Sequence, residues 1–415
     1  MSAELAPANP EASPRSPGPS SAISGSDAPS VAVLVLCIVL VAITLRPGIV
    51  SVGPLLPSII HELGLSHTQA SLLTAIPTVL MGLLAFPAPW LAHRFGRDRV
   101  ILAALLVLGV AIVLRTLAGS VGQLFAATAG VGAGIAVAGT LFSSYVKARS
   151  PNRIALFMGI YATAIGLGST FAAATTGLIE QVIDDWRWAG GFWVLPVVVA
   201  AVAWTLIERR SLGGYSADAS LHAPKMPFRN PTAWLIALFF ACNNLVFYAL
   251  IAWLAPMYVE LGETSGSAGL ILASFTLGFM VANPVFGFLS RSDDRRLLLA
   301  ASSSIALLGT LALAVAPDAM PLVVAPIAAF GTGGAFTLAM TLPLDNASTP
   351  EEAGAWTAFV MLQSYMVGAA GPLLMGYLRD SSGNFQSALW MLVAVGAVML
   401  LVTPFLQPHR LRGAA

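Results

Sequence analysis

The chain has 415 residues, of which 57% are hydrophobic and 9% are charged, and its mean hydropathy is +0.83. Soluble domains carry about 25% charged residues, so this composition excludes a protein whose whole surface faces water. The formal net charge of +1 gives no strongly basic field, which argues against a nucleic-acid-binding protein. The two cysteines, Cys37 and Cys242, lie in apolar runs, so we expect neither a structural disulfide nor a zinc site.

Twelve apolar runs follow an N-terminal segment, residues 1–30, whose Pro, Ser and Ala content predicts a disordered tail. A helix needs about 20 residues to cross a hydrocarbon core of about 30 Å. Each run is predicted to be helical, because lipid offers no water to satisfy backbone polar groups. The predicted spans are residues 31–58, 68–92, 99–118, 121–146, 154–179, 188–207, 232–258, 267–290, 297–316, 320–344, 354–378 and 386–407.

A polar connection at residues 208–231 divides these spans into two sets of six. Glu62-Leu63-Gly64 after the first span recurs as Glu260-Leu261-Gly262 after the seventh, an offset of 198 residues. We therefore predict an all-α membrane protein with twelve transmembrane helices in two pseudo-symmetric six-helix halves. The predicted domains are the tail at 1–30, an N-terminal bundle at 31–207, a cytoplasmic linker at 208–231, a C-terminal bundle at 232–407 and a tail at 408–415.

Basic residues are distributed unevenly between the two sets of connections. If the N-terminus lies in the cytoplasm, the inside segments hold sixteen of the twenty Lys and Arg residues, and the outside segments hold only Arg187 and Arg379. Positive residues concentrate on the cytoplasmic side of membrane proteins. We therefore predict a multi-pass protein of the inner (plasma) membrane with both termini in the cytoplasm.

Arg46 lies near the middle of the first span, in a stretch that also contains Pro47, Gly48, Pro54 and Pro57. A central arginine costs about 2.5–3.5 kcal/mol on insertion scales, so it should face a bundle interior or a wet cavity. No carboxylate is predicted at the same depth. Interrupted helices commonly line transport sites. We expect Arg46 to bind an anionic or dipolar solute, with a structural role against backbone carbonyls as the alternative.

The offset of 198 carries Arg46 onto Asn244 in the seventh span, where Asn243 is the neighbouring residue and Tyr248 lies one helical turn away. These residues are predicted to face Arg46 across a central cavity. An equally reasonable role for the two asparagines is hydrogen bonding between helices.

Other polar residues at mid-span are candidates for the same site or for helix packing. They are Tyr161 in the fifth span, and Gln363, Ser364 and Tyr365 in the eleventh. Arg115 lies nearer the outer end of the third span, and we expect its side chain to extend to the membrane surface.

Glycine-rich stretches occur at residues 130–134, 166–168, 331–334 and 368–371. No strand is predicted before them and no Gly-Lys-Ser/Thr follows, so we expect no nucleotide and no other cofactor. Small residues at these positions favour close helix packing and sliding.

The loop after the second span resembles the signature loop of the major facilitator superfamily, Gly-x-Leu-Ala-Asp-Arg-x-Gly-Arg-Lys, and reads Pro89-Trp90-Leu91-Ala92-His93-Arg94-Phe95-Gly96-Arg97-Asp98-Arg99. A second, more divergent copy runs over residues 287–296. Pro89 and His93 replace the first Gly and the Asp of the pattern. The resemblance implies a cytoplasmic latch formed by Arg94, Gly96, Arg97, Arg291 and Arg295. The alternative is that these arginines only set membrane orientation.

Two further phrases, at residues 45–57 and 72–77, resemble the cyanate / 2-nitroimidazole transporter family within that superfamily. This resemblance implies transport of a small linear or planar polar solute. We therefore expect a secondary active transporter of a small anionic or polar solute, whose partners are that solute and the lipid bilayer, and for which a monomer is sufficient. The coupling ion and the direction of transport stay open.

Three alternatives remain. A multidrug-type exporter of hydrophobic compounds would tolerate the loss of Arg46. An intramembrane enzyme would need a buried nucleophile with a base or a metal site, and neither pattern occurs, so we expect no enzyme. A membrane receptor would need a ligand-binding or signalling domain beside the spans.

Overall fold

The computed structural model describes residues 31–149, 154–208, 226–290, 294–347 and 349–407. Within these ranges the secondary structure is helical and contains no strand. Twelve helices or helix groups are long and apolar enough to cross a membrane. The predicted all-α fold with twelve spans is confirmed. The predicted tails at 1–30 and 408–415, and residues 209–225 of the predicted linker, lie outside the described residues.

The first six spans begin and end at helix-breaking or capping residues. Pro47 interrupts the first span, and Ser66 caps the second through a reciprocal hydrogen-bond pair with Gln69. The helices are α1 (Val31–Thr44), α2 (Pro47–Val50) and α3 (Val52–Leu63) in the first span, α4 (His67–Ala70), α5 (Leu72–Leu84) and α6 (Pro87–Phe95) in the second, α7 (Arg97–Thr116) in the third, α8 (Val121–Arg149) in the fourth, α9 (Ile154–Ile183) in the fifth, and α10 (Trp186–Gly191) and α11 (Val194–Glu208) in the sixth.

The last six spans are more continuous. Most of them start with proline in the first turn or with a side chain that caps the first amides, as Asn230 and Thr349 do. The helices are α12 (Pro231–Glu260), α13 (Ser265–Leu289), α14 (Arg296–Val315), α15 (Pro321–Ala339) and α16 (Leu342–Asn346), α17 (Pro350–Ser382), and α18 (Gln386–Val402), which ends in a 3₁₀ turn over Thr403–Phe405.

The structural repeat is clearest where the first and seventh spans end. Gly64 and Gly262, related by the offset of 198, both have positive φ (62° and 98°). Ser66 and Thr264, at the same offset, each accept a hydrogen bond from the backbone N–H three residues later. The two halves therefore share a helix stop and a helix start, as expected for a duplicated unit.

The two membrane faces differ in how the halves meet. We call the face that carries residues 64–66, 184–185, 261–264 and 383–385 the distal face, and the opposite one, which carries residues 96, 226–230 and 347–349, the terminal face. One apolar cluster near the distal face contains residues of both halves, including Leu55, Leu73, Trp253 and Phe385. The two clusters nearer the terminal face each belong to one half. Within the described residues, the halves thus join distally and separate terminally.

Charged and polar groups also close the distal face. The backbone N–H groups of His67 and Thr68 donate to the Asp380 carboxylate of the other half at 3.0 and 2.8 Å. His67 Nδ1 lies 2.7 Å from Asp380 Oδ1, and Nε2 lies 3.3 Å from Glu260 Oε1. A carboxylate at the first amides of a helix is stabilised by those amides and by the helix dipole. This carboxylate holds the second span against the eleventh.

The fifth and eighth spans pack closely across the same junction. A Cβ added at Gly269 would lie 2.6 Å from the backbone oxygen of Ala173. Thr276 also donates to Thr170 across this junction at 3.0 Å. Small residues allow such close approach of helix backbones in a membrane.

Candidate functional site

Arg46 lies at the break in the first span, between α1 and α2. Its backbone (φ −112°, ψ −29°) occupies the position before Pro47, which begins α2. Proline lacks the N–H that would continue the hydrogen bonds of α1, so the helix is interrupted here. The break points the partly exposed Arg46 side chain towards the seventh span, where its Nη1 donates to the hydroxyl of Tyr248 at 3.1 Å.

Tyrosines from three spans surround the Arg46 guanidinium. Its Cζ lies 6.0 Å from the centroid of the Tyr248 ring. The Tyr248 and Tyr365 rings are 6.2 Å apart, and Tyr161 and Tyr365 are close enough to interact electrostatically with Arg46. The Tyr161 hydroxyl donates to Gly139 O at 3.4 Å. Arg46 is thus hydrogen-bonded to one hydroxyl of the second half and lies near tyrosines of both halves, with no carboxylate partner in the described part of the chain.

Asn243 and Asn244 are buried in the seventh span, close to this group of tyrosines. Neither amide nitrogen has a hydrogen-bond partner within the described residues, and the Asn243 oxygen also has none. Because Asn244 packs against Gly368 of the eleventh span, its backbone approaches that helix closely. Buried amides without partners carry a desolvation cost, so these two asparagines do not serve as hydrogen-bonded links between helices through those atoms. Arg46 contacts Tyr248, one turn from Asn244, and no hydrogen bond joins Arg46 to Asn244.

Gln363 is partly exposed in the eleventh span and makes no hydrogen bond within the described residues. Residues two positions apart on a helix point in nearly opposite directions. The eleventh span therefore presents Tyr365, and not Gln363, to Arg46. Ser364 donates to the backbone oxygen of Met361 at 3.0 Å, which satisfies its hydroxyl locally.

Arg115 does not extend to the membrane surface. Its residue is 6% exposed, and Nη1 donates to the backbone oxygen of Gly48 at 2.8 Å. The expectation of a surface-directed side chain is wrong, because the interruption at Ser51, between α2 and α3, leaves the Gly48 carbonyl free within reach of the third span. Arg115 thus holds the broken segment that carries Arg46. The printed sequence gives no sign of this contact, since residues 48 and 115 are far apart along the chain.

Comparison with known proteins gives the family. The sequence profile of the Major Facilitator Superfamily matches residues 33–264 and 242–414. The chain belongs to the major facilitator superfamily. It is 32% identical to the cyanate transport protein CynX of Escherichia coli K12 over 89% of this chain and 95% of that protein. It is 30% identical to the 2-nitroimidazole transporter of the same organism over 89% of this chain and 94% of that protein.

A solved structure supports the same fold. A bacterial homologue of the human lysosomal transporter Spinster, in an inward-facing and occupied conformation, aligns with a TM-score of 0.73 at 20% identity over 90% of this chain and 95% of that one. The protein is therefore a multi-pass inner-membrane transporter of the major facilitator superfamily, a family not known for enzymes.

The contacts described for the superfamily signature loop lie within the first half. Arg94 is exposed over the Phe95 ring at 5.7 Å, and Gly96 ends the second span with a φ of 88°. Arg97 lies 3.7 Å from Asp98 and 5.1 Å from the centroid of the Tyr145 ring.

The described contacts of the corresponding loop of the second half lie within that half. Arg295 donates to Asp345 at 2.7 and 3.2 Å and to the Ser290 hydroxyl. Arg296 hydrogen-bonds to Asp294 and thereby lowers the pKa of that carboxyl. Arg291 lies outside the described residues. The described hydrogen bonds of Arg94, Gly96 and Arg295 do not join the two halves, which agrees with the separation of the halves at the terminal face.

Glu180 in the fifth span was not among the predicted site residues, because its position near a span end suggested exposure. It is 6% exposed and accepts a hydrogen bond from Ser58 of the first span, while its Oε2 has no partner within the described residues. Ser265, which begins the eighth span, lies beside it. Its place at the end of the fifth span is visible in the sequence, but its burial depends on helix packing.

Proposed function

We propose that this protein is a secondary active transporter that moves a small anionic or polar solute by alternating access, with Arg46 as the solute-binding cation. The observation that carries the proposal is the Arg46 guanidinium at a mid-membrane helix break, which donates to the Tyr248 hydroxyl, lies near Tyr161 and Tyr365, and has no carboxylate partner within the described residues. Cationic residues within membrane spans are costly, and they commonly mark substrate pathways. A guanidinium supplies several hydrogen-bond donors in a fixed plane, which suits a small planar or linear anion.

The neutral partners narrow the solute class. Tyr161, Tyr248 and Tyr365 can donate or accept hydrogen bonds, and the amides of Asn243 and Asn244 can do both. With one guanidinium among neutral groups, the site matches a monoanion or a dipolar molecule better than a dianion. The names of two relatives, a cyanate transport protein and a 2-nitroimidazole transporter, support solutes of this size and shape.

The distribution of contacts supports alternating access about Arg46. Hydrogen bonds between the halves within the described residues run from the distal face to the level of Arg46. In the opposite state, the proposal requires the contact between Asp380 and the second span to open. The predicted latch residues of the terminal face would then approach the other half, and the solute would reach Arg46 from the distal side.

We further propose which parts of the chain move and which side of the membrane the termini face. The bundles at 31–207 and 232–407 move as the two rocking units, connected by the linker at 208–231. Both termini face the cytoplasm, so the distal face is periplasmic, as the asymmetry of basic residues favours. Ala319 is exposed in the connection between the ninth and tenth spans. Labelling at this position tests on which side of the membrane the distal face lies. In a variant without Cys37 and Cys242, Ala319→Cys should react with a membrane-impermeant maleimide added to intact spheroplasts, and protection would reverse the assignment.

The central test is transport by an Arg46→Leu variant in proteoliposomes, with labelled cyanate and labelled 2-nitroimidazole as separate solutes. Loss of charge-assisted hydrogen bonds should reduce uptake at low solute concentration at least about tenfold. Arg229→Leu, which removes an exposed arginine near the terminal face, is the matched control and should transport normally.

Two outcomes would contradict the proposal. Equal uptake of either transported solute by Arg46→Leu and wild type would remove Arg46 from binding. Export of hydrophobic dyes by both proteins, with neither labelled solute transported, would favour the multidrug-type exporter.

A further inference from the structure

A cavity lies away from Arg46, on the outer side of the first half near the terminal face. It has a volume of about 850 Å³ and lies between the end of the second span and the third and fourth spans. The third span packs against other helices of the first half, and no helix of the second half covers it in the described part of the chain. The cavity is therefore a groove open to the surrounding bilayer, distinct from the junction between the halves.

The groove is apolar along its length and has a floor of small side chains. Ala103 and Ala133 leave room over the third and fourth spans, and Leu91, Phe95 and Val107 border the opening. From Gly96 to Val107 the third span advances by eleven residues, which is about 16 Å at the α-helical rise. This length is about half of a hydrocarbon core of about 30 Å, which is the hydrocarbon depth of one leaflet.

Two arginines stand at the terminal end of the groove. Arg94 and Arg99 both line it, and both are exposed. Neither forms an ion pair with a carboxylate within the described residues, whereas the nearby Asp98 lies beside Arg97. An apolar channel of one leaflet's depth with two guanidinium groups at its polar end is complementary to an acyl chain with an anionic headgroup.

We propose that this groove binds an anionic phospholipid, with one acyl chain along Ala103 and Val107 and the phosphate between Arg94 and Arg99. The binding does not depend on which solute is transported. Arg94 belongs to the predicted latch, so a bound phosphate would occupy a cation that the latch requires in the other state. The lipid would thereby favour the conformation that is open at the terminal face.

The test measures lipid retention by native mass spectrometry of the purified full-length protein after delipidation in detergent. Phosphatidylglycerol or phosphatidylcholine of the same acyl composition is then added back. Wild type should retain phosphatidylglycerol in preference to phosphatidylcholine. Each arginine removed should lower this preference about fivefold, since a cation near the headgroups contributes an electrostatic attraction of that order. The charge variant is Arg94→Gln with Arg99→Gln.

Two matched variants separate charge from shape. Ala103→Trp keeps both arginines but fills the groove, and it should reduce retention of both lipids. Arg229→Gln removes an arginine elsewhere near the terminal face and should retain lipid as wild type does. Monodisperse elution of each variant in gel filtration shows that it is folded. If Ala103→Trp is not folded, the exposed Arg94 and Arg99 changes still test the site.

Three results would overturn the proposal. The first is equal retention of the two lipids by wild type. The second is an unchanged phosphatidylglycerol preference after both arginines are replaced. The third is complete displacement of the lipid by inorganic phosphate alone, which would identify a simple anion site without a role for the acyl chain.

Discussion

The first and seventh spans occupy equivalent places in the two halves, yet they are built differently. The first is divided into α1, α2 and α3 at Arg46 and at Ser51, whereas the seventh is a single helix of 30 residues, Pro231–Glu260. Both end in the same Glu-Leu-Gly sequence with a left-handed glycine. The ends, where each helix must stop, have stayed alike. The middles have diverged, so that one half supplies a cation and the other supplies neutral hydrogen-bonding groups.

The difference also explains Arg115. A broken helix leaves backbone carbonyl groups without an N–H four residues on, and such groups are costly in a membrane interior. In the first span, Arg115 donates to one of them, the carbonyl of Gly48. The seventh span is continuous at the equivalent position, and its internal proline, Pro256, lies nearer its distal end. The cation at Arg46 and the cation at Arg115 thus have separate roles, one towards a solute and one towards the backbone.

The largest effect is expected when the middle of the seventh span carries an arginine, as the middle of the first span does. Asn244→Arg would bury a second cation near Arg46. A buried charge without a partner destabilises a protein by about 3–5 kcal/mol. We expect a large fall in the thermal unfolding midpoint of the purified protein. The double change Arg46→Asn with Asn244→Arg, which restores a single cation, should recover part of that fall. Asn244→Leu is the uncharged control. An Asn244→Arg protein as stable as wild type would show that the site already accommodates two cations.

A smaller effect is expected from removing the support of the broken span. Arg115→Leu leaves the Gly48 carbonyl unpaired, and a hydrogen bond to a charged group contributes about 1.5–3 kcal/mol. The midpoint of thermal unfolding should fall. Solute affinity should also fall, because α2 loses its support at Gly48 and the adjacent Arg46 shifts with it. Arg115→Lys keeps a hydrogen-bond donor, so its unfolding midpoint should lie between those of wild type and Arg115→Leu. Unchanged stability in Arg115→Leu would mean that water replaces the guanidinium at Gly48.

The hydrogen bond from Arg46 to Tyr248 predicts that a change at Tyr248 affects solute affinity and little else. Tyr248→Phe removes the hydroxyl that accepts from Arg46 but keeps the ring. Loss of one hydrogen bond to a charged group should weaken solute affinity about tenfold, measured by the change in half-saturating concentration in proteoliposomes. The maximal rate and the unfolding midpoint should change little. Tyr377→Phe, at an exposed tyrosine of the eleventh span, is the control. Equal affinity in the two variants would place the solute away from Tyr248.

The smallest effects concern what the two spans still share. Gly64→Ala and Gly262→Ala each place a Cβ on a left-handed backbone with no neighbouring atom within 4 Å, so conformation alone is tested. Each should reduce the free energy of unfolding by about 1–2 kcal/mol. Gly354→Ala, at a helical glycine in open space, should be neutral or slightly stabilising. Unequal shifts for Gly64 and Gly262 would show that the two turns are not mechanically equivalent.

Much of the fold follows directly from the sequence. Apolar length predicts the twelve spans, and Pro317, Asp318 and Pro321 separate the ninth from the tenth, which the structure confirms. The repeated Glu-Leu-Gly turn predicts matching helix ends because glycine alone adopts the left-handed backbone without strain. The break at Arg46 is also predictable, because proline lacks the N–H that would continue the helix.

The partners of these residues could not be predicted in the same way. The sequence suggested Asn244 and Tyr248 opposite Arg46, and only the direction of each helix face decides that Tyr248 makes the contact and that Tyr365 lies near the guanidinium in place of Gln363. Glu180 and Arg115 lie near span ends, where sequence alone suggests exposure. Both are buried, because the fifth span packs against the eighth and Arg115 of the third span hydrogen-bonds to Gly48 of the first.

The sequence by itself determined that this chain spans the membrane twelve times in two related halves and carries one arginine at mid-depth. Those properties depend on local quantities: the length of apolar runs, the position of proline and glycine, and the number of charges. The tertiary structure alone decided which side chains surround that arginine, which face of the molecule is closed, and which second arginine supports the helix break. Those properties depend on the rotation and tilt of each helix, which are set by contacts between residues far apart in the chain.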